Sequence, residues 1–553
     1  MPCEEASMAR IRCLGILLLT LACSTLGVAA ADSESGEKLR TSFHFQPARN
    51  WINDPNGPMY YRGFYHLFVQ YNPTGPHWRN IVWGHAVSSD LLSWVFLEPA
   101  IAPSAPYDAK GTWSGSATVL PDGRINLMYT GVQVHGRQVQ NLAVPRNYSD
   151  PFLREWVKSQ LNPVIVPGAG VNSTEFRDPS TAWRGADGLW RVLLATKDHR
   201  RHLVLLYRST DFTHWSAARR PFHEGHTGMV ECADFFPLSS AGSVKHVLKI
   251  SVLESRRDVY FLGAYDDSTD KFLPDDGNDD GLQLDFGIFY ASKSFFDPSR
   301  RRRVVWAWAK EQDATADDEQ KGWAGVLAIP REVWLAHDGR QLMTWLVAEV
   351  DSLRTNRVHI ADMTIQSGDY FEIAGLQLPA QADLDVEFQV SNLERAEPFQ
   401  WRAAEAADLC AARGADVQGG VGPFGVWVLA SRDLRERTAV SISVFKADER
   451  KHMILFCNDV SNSSYSDQVD KHNYGGLVQL DLAKAGGRIS LRTLVDNCIV
   501  EAFGSHGKIA ILSRVYPTSA VGNKARAFVF NKGKSTIVVS RLDAYDMASV
   551  KIS

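Results

Sequence analysis

Short strand-like runs that recur at an almost even step constrain the fold of this chain more than any other feature. Each run is rich in Val, Tyr, Phe and Trp and is bounded by Gly, Asp, Asn or Pro. The turn residues that precede the runs are Asp54, Gly115, Asp178, Glu231 and Asp285, which lie 61, 63, 53 and 54 residues apart. Long helical periodicity is nearly absent, so the pattern predicts an all-β chain that begins with a repeated unit.

A second pattern supports the repeat. The segments SSDLLSWVFL at 88 and STDFTHWSAA at 209 share Ser, Asp and Trp at matching places. Five units of this length, each with about four strands, are what a five-bladed β-propeller requires. A series of unrelated hairpins is the alternative, and the agreement of two independent patterns disfavours it.

The character of the sequence changes near residue 350. The segment LRTNRVHIADMTIQSGDY is polar, and the repeat of turn and strand stops there. From about residue 365, strands such as TAVSISVFKA alternate apolar and polar residues, which is typical of antiparallel sheets with one face in water. The sequence therefore predicts a propeller over residues 40–355 and a C-terminal β-sandwich over residues 365–553.

The N-terminus has the features of a secretory signal peptide. Two arginines precede a short apolar run, and small residues followed by polar ones come next. The predicted signal spans residues 1–31, with a retained membrane anchor as the less favoured alternative, and no later stretch is long and apolar enough to span a membrane. The N-glycosylation acceptors are Asn147, Asn172 and Asn462.

Charge and cysteine content exclude some classes of protein. A formal net charge of -4 over 553 residues gives no nucleic-acid footprint. Four cysteines remain after signal removal, Cys232, Cys410, Cys457 and Cys498, and they allow three pairings. That number is too small for a disulfide-dense scaffold, so the core must be hydrophobic. No motif predicts a metal or cofactor site.

Three carboxylates fall at the predicted blade starts. A propeller gathers these starts around one axial funnel, so Asp54, Asp178 and Glu231 are expected to meet although they are distant in sequence. A pair of carboxylates can cleave a glycosidic bond, because one attacks the anomeric carbon while the other protonates the leaving oxygen. For each carboxylate alone a turn role is the fair alternative, and their convergence favours catalysis.

Five motifs in order carry a family resemblance. They are WINDPNGPMYY, FVQYNP, WSGSAT, EFRDPSTAW and ECADFFP. Together they resemble plant acid invertases and fructan exohydrolases of glycoside hydrolase family 32, from about residue 40 to the C-terminus. The resemblance implies a five-bladed propeller followed by a β-sandwich, a secreted enzyme of the apoplast or cell wall, and a sucrose or fructan substrate. An isoelectric point of about 6.5 does not favour tight ionic binding to an acidic wall.

The resemblance also implies residue roles. Asp54 is the expected nucleophile, Glu231 the expected general acid/base, and Asp178 the expected stabiliser of the transition state. The implied substrate-binding residues are Trp51, Asn53, Gln70, Trp78, Trp113, Ser114, Arg177 and Asp266. For each tryptophan, core packing is the rival interpretation. Cys410 and Cys457 fall where the family has a disulfide.

The expected activity is hydrolysis of sucrose to glucose and fructose by a retaining double displacement. Release of terminal fructose from inulin- or levan-type fructans is the alternative, because it uses the same three carboxylates. The family often has Lys where this chain has Thr269, three residues after Asp266, which weakens the preference for sucrose. Fructosyl transfer and a catalytically silent sugar-binding protein are further alternatives, and the intact set of carboxylates disfavours the latter.

Overall fold

The computed structural model describes residues 36–240, 242–275, 280–402, 406–448 and 451–553. The predicted signal peptide at residues 1–31 lies outside them. Within these ranges the chain is built almost wholly of strands. Residues 50–346 form five sheets, and residues 354–547 form two more. The chain is therefore a five-bladed β-propeller followed by a β-sandwich.

The first three blades follow chain order. Blade 1 contains β1 (Asn50–Tyr61), β2 (Phe64–Asn72), β3 (Val82–Ser88) and β4 (Val95–Ile101). Blade 2 contains β5 (Gly111–Val119), β6 (Ile125–Val132), β7 (Gln138–Pro145) and β8 (Trp156–Lys158). Blade 3 contains β9 (Phe176–Arg177), β10 (Trp183–Arg184), β11 (Trp190–Asp198), β12 (Arg201–Ser209), β13 (Trp215–Ala217) and β14 (His223–Gly225).

The last two blades complete the ring. Blade 4 contains β15 (Val230–Ser240), β16 (Ser243–Val252), β17 (Arg257–Asp266), β18 (Lys271–Pro274) and β19 (Leu282–Gln283). Blade 5 contains β20 (Phe289–Asp297), β21 (Arg302–Ala309), β23 (Val326–Leu327), β24 (Arg331–Leu335) and β25 (Leu342–Leu346). Between them, helix α1 (Thr315–Lys321) leads into β22 (Trp323–Ala324), which pairs in parallel with β1. This pairing adds a late segment to blade 1 and so closes the ring.

The sandwich consists of two mainly antiparallel sheets. One sheet has the order β26 (Arg354–Ile365), β38 (Ile537–Met547), β28 (Gln381–Val390), β34 (Arg488–Asp496), β35 (Ile499–Gly504) and β36 (Ile509–Arg514). The other has the order β27 (Tyr370–Glu372), β37 (Arg526–Asn531), β30 (Phe424–Ala430), β31 (Thr438–Lys446), β32 (His452–Asp459) and β33 (Tyr474–Leu480), with β29 (Glu397–Pro398) beside β31. Strand β26 spans most of the segment between the two predicted domains, whose bounds stay a prediction.

The few helices connect strands. The described residues include helix α2 (Ala406–Arg413) and short 3-10 turns at Ala348–Leu353, Leu393–Arg395, Ser505–Gly507 and Gly522–Lys524. None of the helices in the described ranges is long and apolar enough to cross a membrane. The sandwich core lies between its two sheets, where the rings of Phe388 and Phe424 meet at 5.1 Å.

The first strand of each blade is irregular at one common level. The register of β1 shifts between Ile52 and Pro55, and that of β15 shifts between Glu231 and Asp234. Strands β5 and β20 have similar shifts, and β9 ends at Arg177, just before Asp178 takes a φ of 63°. A β-bulge bends the strand and turns side chains away from the regular alternation. These irregularities let the first strands direct polar side chains towards the propeller axis.

Asp285 precedes the first strand of blade 5, as the sequence predicts, but it lies outside the bulge of that strand. Strand β20 begins four residues later, and its bulge lies between Tyr290 and Lys293. The carboxylate of Asp285 instead accepts hydrogen bonds from Arg331 (2.7 Å) and from the backbone N–H of Leu512 in the sandwich (3.1 Å). It belongs to the contact between the propeller and the sandwich.

Candidate active site

A cavity of about 510 Å³ opens where the first strands of the blades begin. All three predicted catalytic carboxylates line it, although they come from blades 1, 3 and 4. The lining residues are Trp51, Asn53, Asp54, Gln70, Trp78, Trp113, Gln138, Thr174, Glu175, Arg177, Asp178, Glu231, Leu253, Arg256, Tyr290 and Trp308. The convergence that the repeat predicts is therefore present.

Neutral donors hold Asp54 in place. Its Oδ2 accepts hydrogen bonds from Ser114 Oγ (2.7 Å) and Gln70 Nε2 (3.2 Å), and its Oδ1 accepts one from Asn53 Nδ2 (3.0 Å). Trp51 Nε1 in turn donates to Asn53 Oδ1 (2.8 Å). Burial and the nearby carboxylates raise the pKa of Asp54 to about 7, although the hydrogen bonds from Ser114 and Asn53 oppose the shift. Asp54 is oriented without being neutralised by a cation.

Glu231 has a different environment. Both Nε and Nη2 of Arg177 donate to Oε1, at 3.0 and 2.8 Å, and the hydroxyl of Tyr290 donates to Oε2 at 2.6 Å. The side chain of Glu231 is 17% exposed and so remains accessible from the cavity. A tyrosine hydroxyl can donate to a carboxylate or accept from a carboxylic acid. The contacts therefore suit a group that gains and loses a proton at Oε2.

Asp178 lies beside the strand that carries Glu231. Its Oδ2 accepts a hydrogen bond from the backbone N–H of Cys232 at 3.2 Å. The thiol of Cys232 is 3.7 Å from Oδ2 of Asp178 and 3.7 Å from Oδ2 of Asp54, so one buried sulfur contacts both carboxylates. Burial is the main cause that raises the pKa of Asp178, Glu231 adds to it, and Arg177 opposes it. The three acidic groups thus have more negative charge than Arg177 alone can balance.

Four tryptophans form the walls of the cavity. Trp78 is 50% exposed at the rim, and its ring lies 5.3 Å from that of Trp113. Trp51 packs edge-on against Trp308 at 5.8 Å. Indole faces are suited to stacking on the C–H faces of sugar rings, so the walls fit a carbohydrate ligand.

Ser114 is fully buried and contacts Asp54 without lining the cavity.

Asp266 does not reach the cavity, so its predicted role in binding substrate was wrong. Strand β17 begins at Arg257, level with Glu231, because both residues pair with strand β16 near Val252. Asp266 lies nine residues further along β17, about 30 Å at the usual rise of a strand, and its carboxylate bonds to Ser268 and Thr269.

Several lining residues were missed by the sequence analysis. Leu253 and Arg256 lie on the turn between β16 and β17, where they looked like ordinary hairpin residues. Tyr290 and Trp308 were missed because the sequence marks blade 5 by Asp285 and gives no sign of the bulge that follows Tyr290. The pairing register of β15, β16 and β17 brings this hairpin level with Glu231, and it is the signal that could have identified Leu253 and Arg256. The remaining members of this missed set are Gln138, Thr174 and Glu175.

The cysteines and acceptor asparagines lie as follows. Cys410 in α2 and Cys457 in β32 form a disulfide, with their Cα atoms 5.8 Å apart. Cys232 and Cys498 are free and buried. Asparagines 147, 172 and 462 are all exposed.

Comparison with known proteins identifies relatives along nearly the whole chain. Residues 44–345 match the glycosyl hydrolases family 32 N-terminal domain, and residues 349–546 match the family 32 C-terminal domain. A rice (Oryza sativa subsp. indica) protein named beta-fructofuranosidase, insoluble isoenzyme 3, is 51% identical over 93% of this chain and 92% of its own. A carrot (Daucus carota) beta-fructofuranosidase, insoluble isoenzyme 1, is 48% identical over 92% of this chain and 89% of its own. The crystal structure of fructan 1-exohydrolase IIa from Cichorium intybus superposes with a TM-score of 0.90 and 42% identity, covering 93% of this chain and 98% of that one.

Proposed function

The chain belongs to glycosyl hydrolase family 32, and we propose that it is a retaining β-fructofuranosidase that hydrolyses sucrose to glucose and fructose. One observation carries the proposal. Asp54 and Glu231 reach the same cavity from different blades, the first held by neutral donors and the second by a guanidinium and a phenol. Two carboxyl groups in unlike environments are what the separate roles of nucleophile and acid/base require.

In the first step, Asp54 attacks the anomeric carbon of the fructosyl unit while Glu231 protonates the glycosidic oxygen. The bond to the leaving glucose breaks, and its electron pair takes the proton from Glu231. The bulge in β1 and the donors Ser114, Gln70 and Asn53 aim Asp54 for this attack. The product of the step is an ester between the fructosyl unit and Asp54.

In the second step, Glu231 removes a proton from water and the water oxygen attacks the same carbon. Two inversions give net retention at the anomeric centre. Asp178 accepts hydrogen bonds from fructose hydroxyls in both steps, and these strengthen as positive charge develops on the ring. Its place beside Cys232, whose thiol also contacts Asp54, supports this role.

In the reactive form, Glu231 is protonated and Asp54 is ionised, so the pair holds one proton. Burial together with the charges of Asp178 and Glu231 raises the pKa of Asp54, so protonation of Glu231 removes one of these charges and favours the ionised nucleophile. The proton of Glu231 is on Oε2, because Oε1 already accepts two hydrogen bonds from Arg177. A bell-shaped dependence of rate on pH follows.

Fructan hydrolysis is the second candidate function. The structural match to a fructan exohydrolase from chicory at a TM-score of 0.90 favours it, because the leaving-group side of the cavity alone separates the two substrates. The names of the rice and carrot relatives favour sucrose. Fructosyl transfer requires only that a sugar hydroxyl replaces water in the second step.

Initial rates on sucrose, inulin and levan with one purified preparation test this assignment. We expect the highest kcat/KM on sucrose, with fructose released initially in the β configuration as observed by NMR. A higher kcat/KM on a fructan would make the protein an exohydrolase. Absence of turnover on all three substrates would contradict the proposed function altogether.

Variants of the two reacting carboxylates separate their roles. Glu231→Ala should lose most activity on sucrose but much less on an aryl fructoside whose leaving group departs without a proton. Azide should accelerate the Glu231→Ala enzyme, because azide attacks the fructosyl-enzyme without a general base. Asp54→Ala should be inactive on both substrates. Rescue of Asp54→Ala by azide with retained configuration would show that another group is the nucleophile.

An extracellular location in the apoplast or cell wall completes the proposal. The relatives named insoluble isoenzymes, the signal-like N-terminus and the three exposed acceptor asparagines support it. A glycan on Asn172 would stand at the rim of the cavity, because Thr174 and Glu175 line it. Fractionation of plant tissue into wall, soluble and vacuolar material, followed by glycosidase treatment, tests the location and the use of each asparagine.

A further inference from the structure

Two lysine side chains are buried on the inner part of blades 4 and 5, next to the strands that carry the carboxylates. Lys249 lies on β16 and is 2% exposed, and Lys293 lies on β20, directly after its bulge, and is 1% exposed. Lysine is almost never buried without compensation. Neither residue lines the cavity, so substrate binding does not explain either of them.

The ammonium group of Lys293 bridges the two strands that present Asp178 and Glu231. Its Nζ donates to the carbonyl oxygen of Pro179 at 3.4 Å and to that of Ala233 at 3.3 Å. Pro179 directly follows Asp178, and Ala233 is two residues after Glu231. Among the described residues, no carboxylate lies within ion-pair distance of Lys293, so its charge acts on the site as a whole.

Lys249 differs in one decisive respect. Its Nζ also donates to backbone carbonyls, those of Cys232 (2.7 Å) and Ser292, but the carboxylate of Asp258 lies 3.6 Å away. The charge of Lys249 is therefore balanced locally, whereas that of Lys293 is not. The two residues form a matched pair, because both link blades 4 and 5 through backbone carbonyls.

Two carboxylates act electrostatically on Lys293, namely Asp234 on β15 and Asp178 of the active site. Asp178 and the thiol of Cys232 face it from blades 3 and 4, and Asp234 on β15 accepts hydrogen bonds from Ser294 N and Oγ. Lys249 repels it from β16. Burial lowers the pKa of Lys293, and Cys232, Asp234 and Asp178 oppose this change. Lys293 in turn lowers the pKa of Asp178, against the effect of burial, and Arg177 lowers it more.

We infer that Lys293 is a positioning residue whose buried ammonium, held on the carbonyl oxygen that follows Asp178, supplies counter-charge to Asp178 and favours its ionised form. The inference rests on the proposed function, because it assigns Lys293 a part in that reaction. Asp178 must be ionised to stabilise the positive charge on the fructosyl ring. The reaction requires both Asp54 and Asp178 to be ionised, so the acid limb of the rate profile reports the first proton taken up by this pair. Without Lys293, Asp178 would take up its proton at a higher pH, and the acid limb would move upwards.

A variant that keeps the hydrogen bonds but removes the charge separates this role from a structural one. Lys293→Gln can still donate to both carbonyls, whereas a Lys293→Arg variant keeps the charge. The measurement is the pH dependence of kcat and of KM on sucrose, with Lys249→Gln as the matched control for loss of a buried ammonium. Where Lys293→Gln does not accumulate as folded protein, Lys293→Met serves in its place.

In Lys293→Gln the acid limb of kcat should shift upwards by about one pH unit, with about a ten-fold loss of kcat on its acid side and little change in KM. Lys293→Arg should restore the position of the limb, and Lys249→Gln should leave it in place. An unshifted limb in folded Lys293→Gln or Lys293→Met would overturn the inference, as would an equal shift in Lys249→Gln. If the wild-type protein cleaves no fructoside, the proposed function fails instead, which keeps the two failures distinct.

Discussion

Two of the clusters of buried carboxylates in the described part of the chain, one in the cavity and one at the contact between propeller and sandwich, are balanced in different ways. In the cavity, the guanidinium of Arg177 lies beside Asp178 and Glu231 but forms no ion pair with Asp54. At the contact between propeller and sandwich, Asp285, Asp496 and Glu501 share Arg331 and His44.

The second group is bonded at nearly every oxygen. Arg331 donates to Asp285 at 2.7 Å and to Glu501 at 2.6 and 3.1 Å, and His44 lies 2.8 Å from Asp496 and 3.1 Å from Glu501. Backbone N–H groups of residues 42–44 also donate to Asp496. Burial alone would lower the pKa of His44, but Asp496 and Glu501 outweigh it and raise that pKa to about 9.

The difference shows which group serves stability and which serves chemistry. Burial raises the pKa of Glu501, yet Arg331 and His44 reverse the shift and hold it below its usual value, whereas for Asp285 burial still outweighs Arg331 and its pKa stays raised. In the cavity, burial and mutual repulsion prevail and the pKa of Asp54 rises to about 7. Perturbed carboxylates gathered in a cleft are typical of functional sites, whereas saturated ion pairs hold elements together.

The largest effect should come from the nucleophile. Asp54→Asn keeps the size of the side chain and one acceptor oxygen but cannot form the fructosyl ester, so kcat on sucrose should fall by about 10⁴-fold or more. Circular dichroism and the unfolding midpoint serve as controls for the fold. Retention of more than a tenth of the activity would place Asp54 among ordinary turn residues.

The next effect concerns the contact between propeller and sandwich. Arg331→Met would leave Asp285 without its cation, and Glu501 with His44 alone, in a fully buried place. The free energy of unfolding should fall by about 3–5 kcal/mol, as measured by denaturant titration, while kcat of the folded fraction stays unchanged. Unaltered stability would show that this group is not the structural counterpart of the cavity.

His44 should make the same contact sensitive to alkali. Its pKa is higher in the folded protein, about 9, than the ordinary 6.5, so its stabilising effect is complete below pH 6.5 and is lost as pH rises through 9. We expect a loss on the order of 2 kcal/mol across this window. His44→Gln should be less stable at pH 6 and should lack this pH dependence. A parallel decline in both proteins would exclude His44 as the cause.

The smallest effect is a gain in stability. Because the pKa of Asp54 is raised from 3.8 to about 7 on folding, its ionised form destabilises the folded protein, and this cost is full above pH 7 and absent below pH 3.8. Asp54→Asn should therefore be more stable than the wild type at pH 8 and should gain nothing at pH 3.8. The gain should be smaller than the roughly 4 kcal/mol that the shift corresponds to, because the amide loses part of the hydrogen bonds that the carboxylate accepts. Equal stability of the variant and the wild type at pH 8 would contradict the imbalance of charge in the cavity.

The cavity was more predictable from sequence than the contact between propeller and sandwich. The repeat placed Asp54, Asp178 and Glu231 at equivalent strand starts, and the bulges there direct them to one axis. The bulge of blade 5 could not be placed in the same way, because it carries Ala291 and Ser292 and no carboxylate. His44 and Asp496 are 452 residues apart, and no local pattern reports such a pairing.

Two further sets of residues were hidden for related reasons. Lys249 and Lys293 looked like the polar positions of ordinary strands, and only the packing of neighbouring blades shows that both are buried. Leu253 and Arg256 looked like a hairpin turn, and only the strand register brings that turn to the level of Glu231. Asp266 is the opposite case. The sequence placed it in the site, but strand β17 runs away from the cavity and ends at Asp266.

Trapping the fructosyl-enzyme tests the central claim most directly. Glu231→Gln should form the ester on Asp54 from an aryl fructoside with a good leaving group but hydrolyse it slowly, because it lacks the general base. Acid quenching, peptic digestion and mass spectrometry should then show one hexosyl unit on a peptide containing residues 51–60, with fragmentation that assigns it to Asp54. A hexosyl unit on any other residue, or fructose released with inverted configuration, would contradict the assignment of Asp54 as the nucleophile.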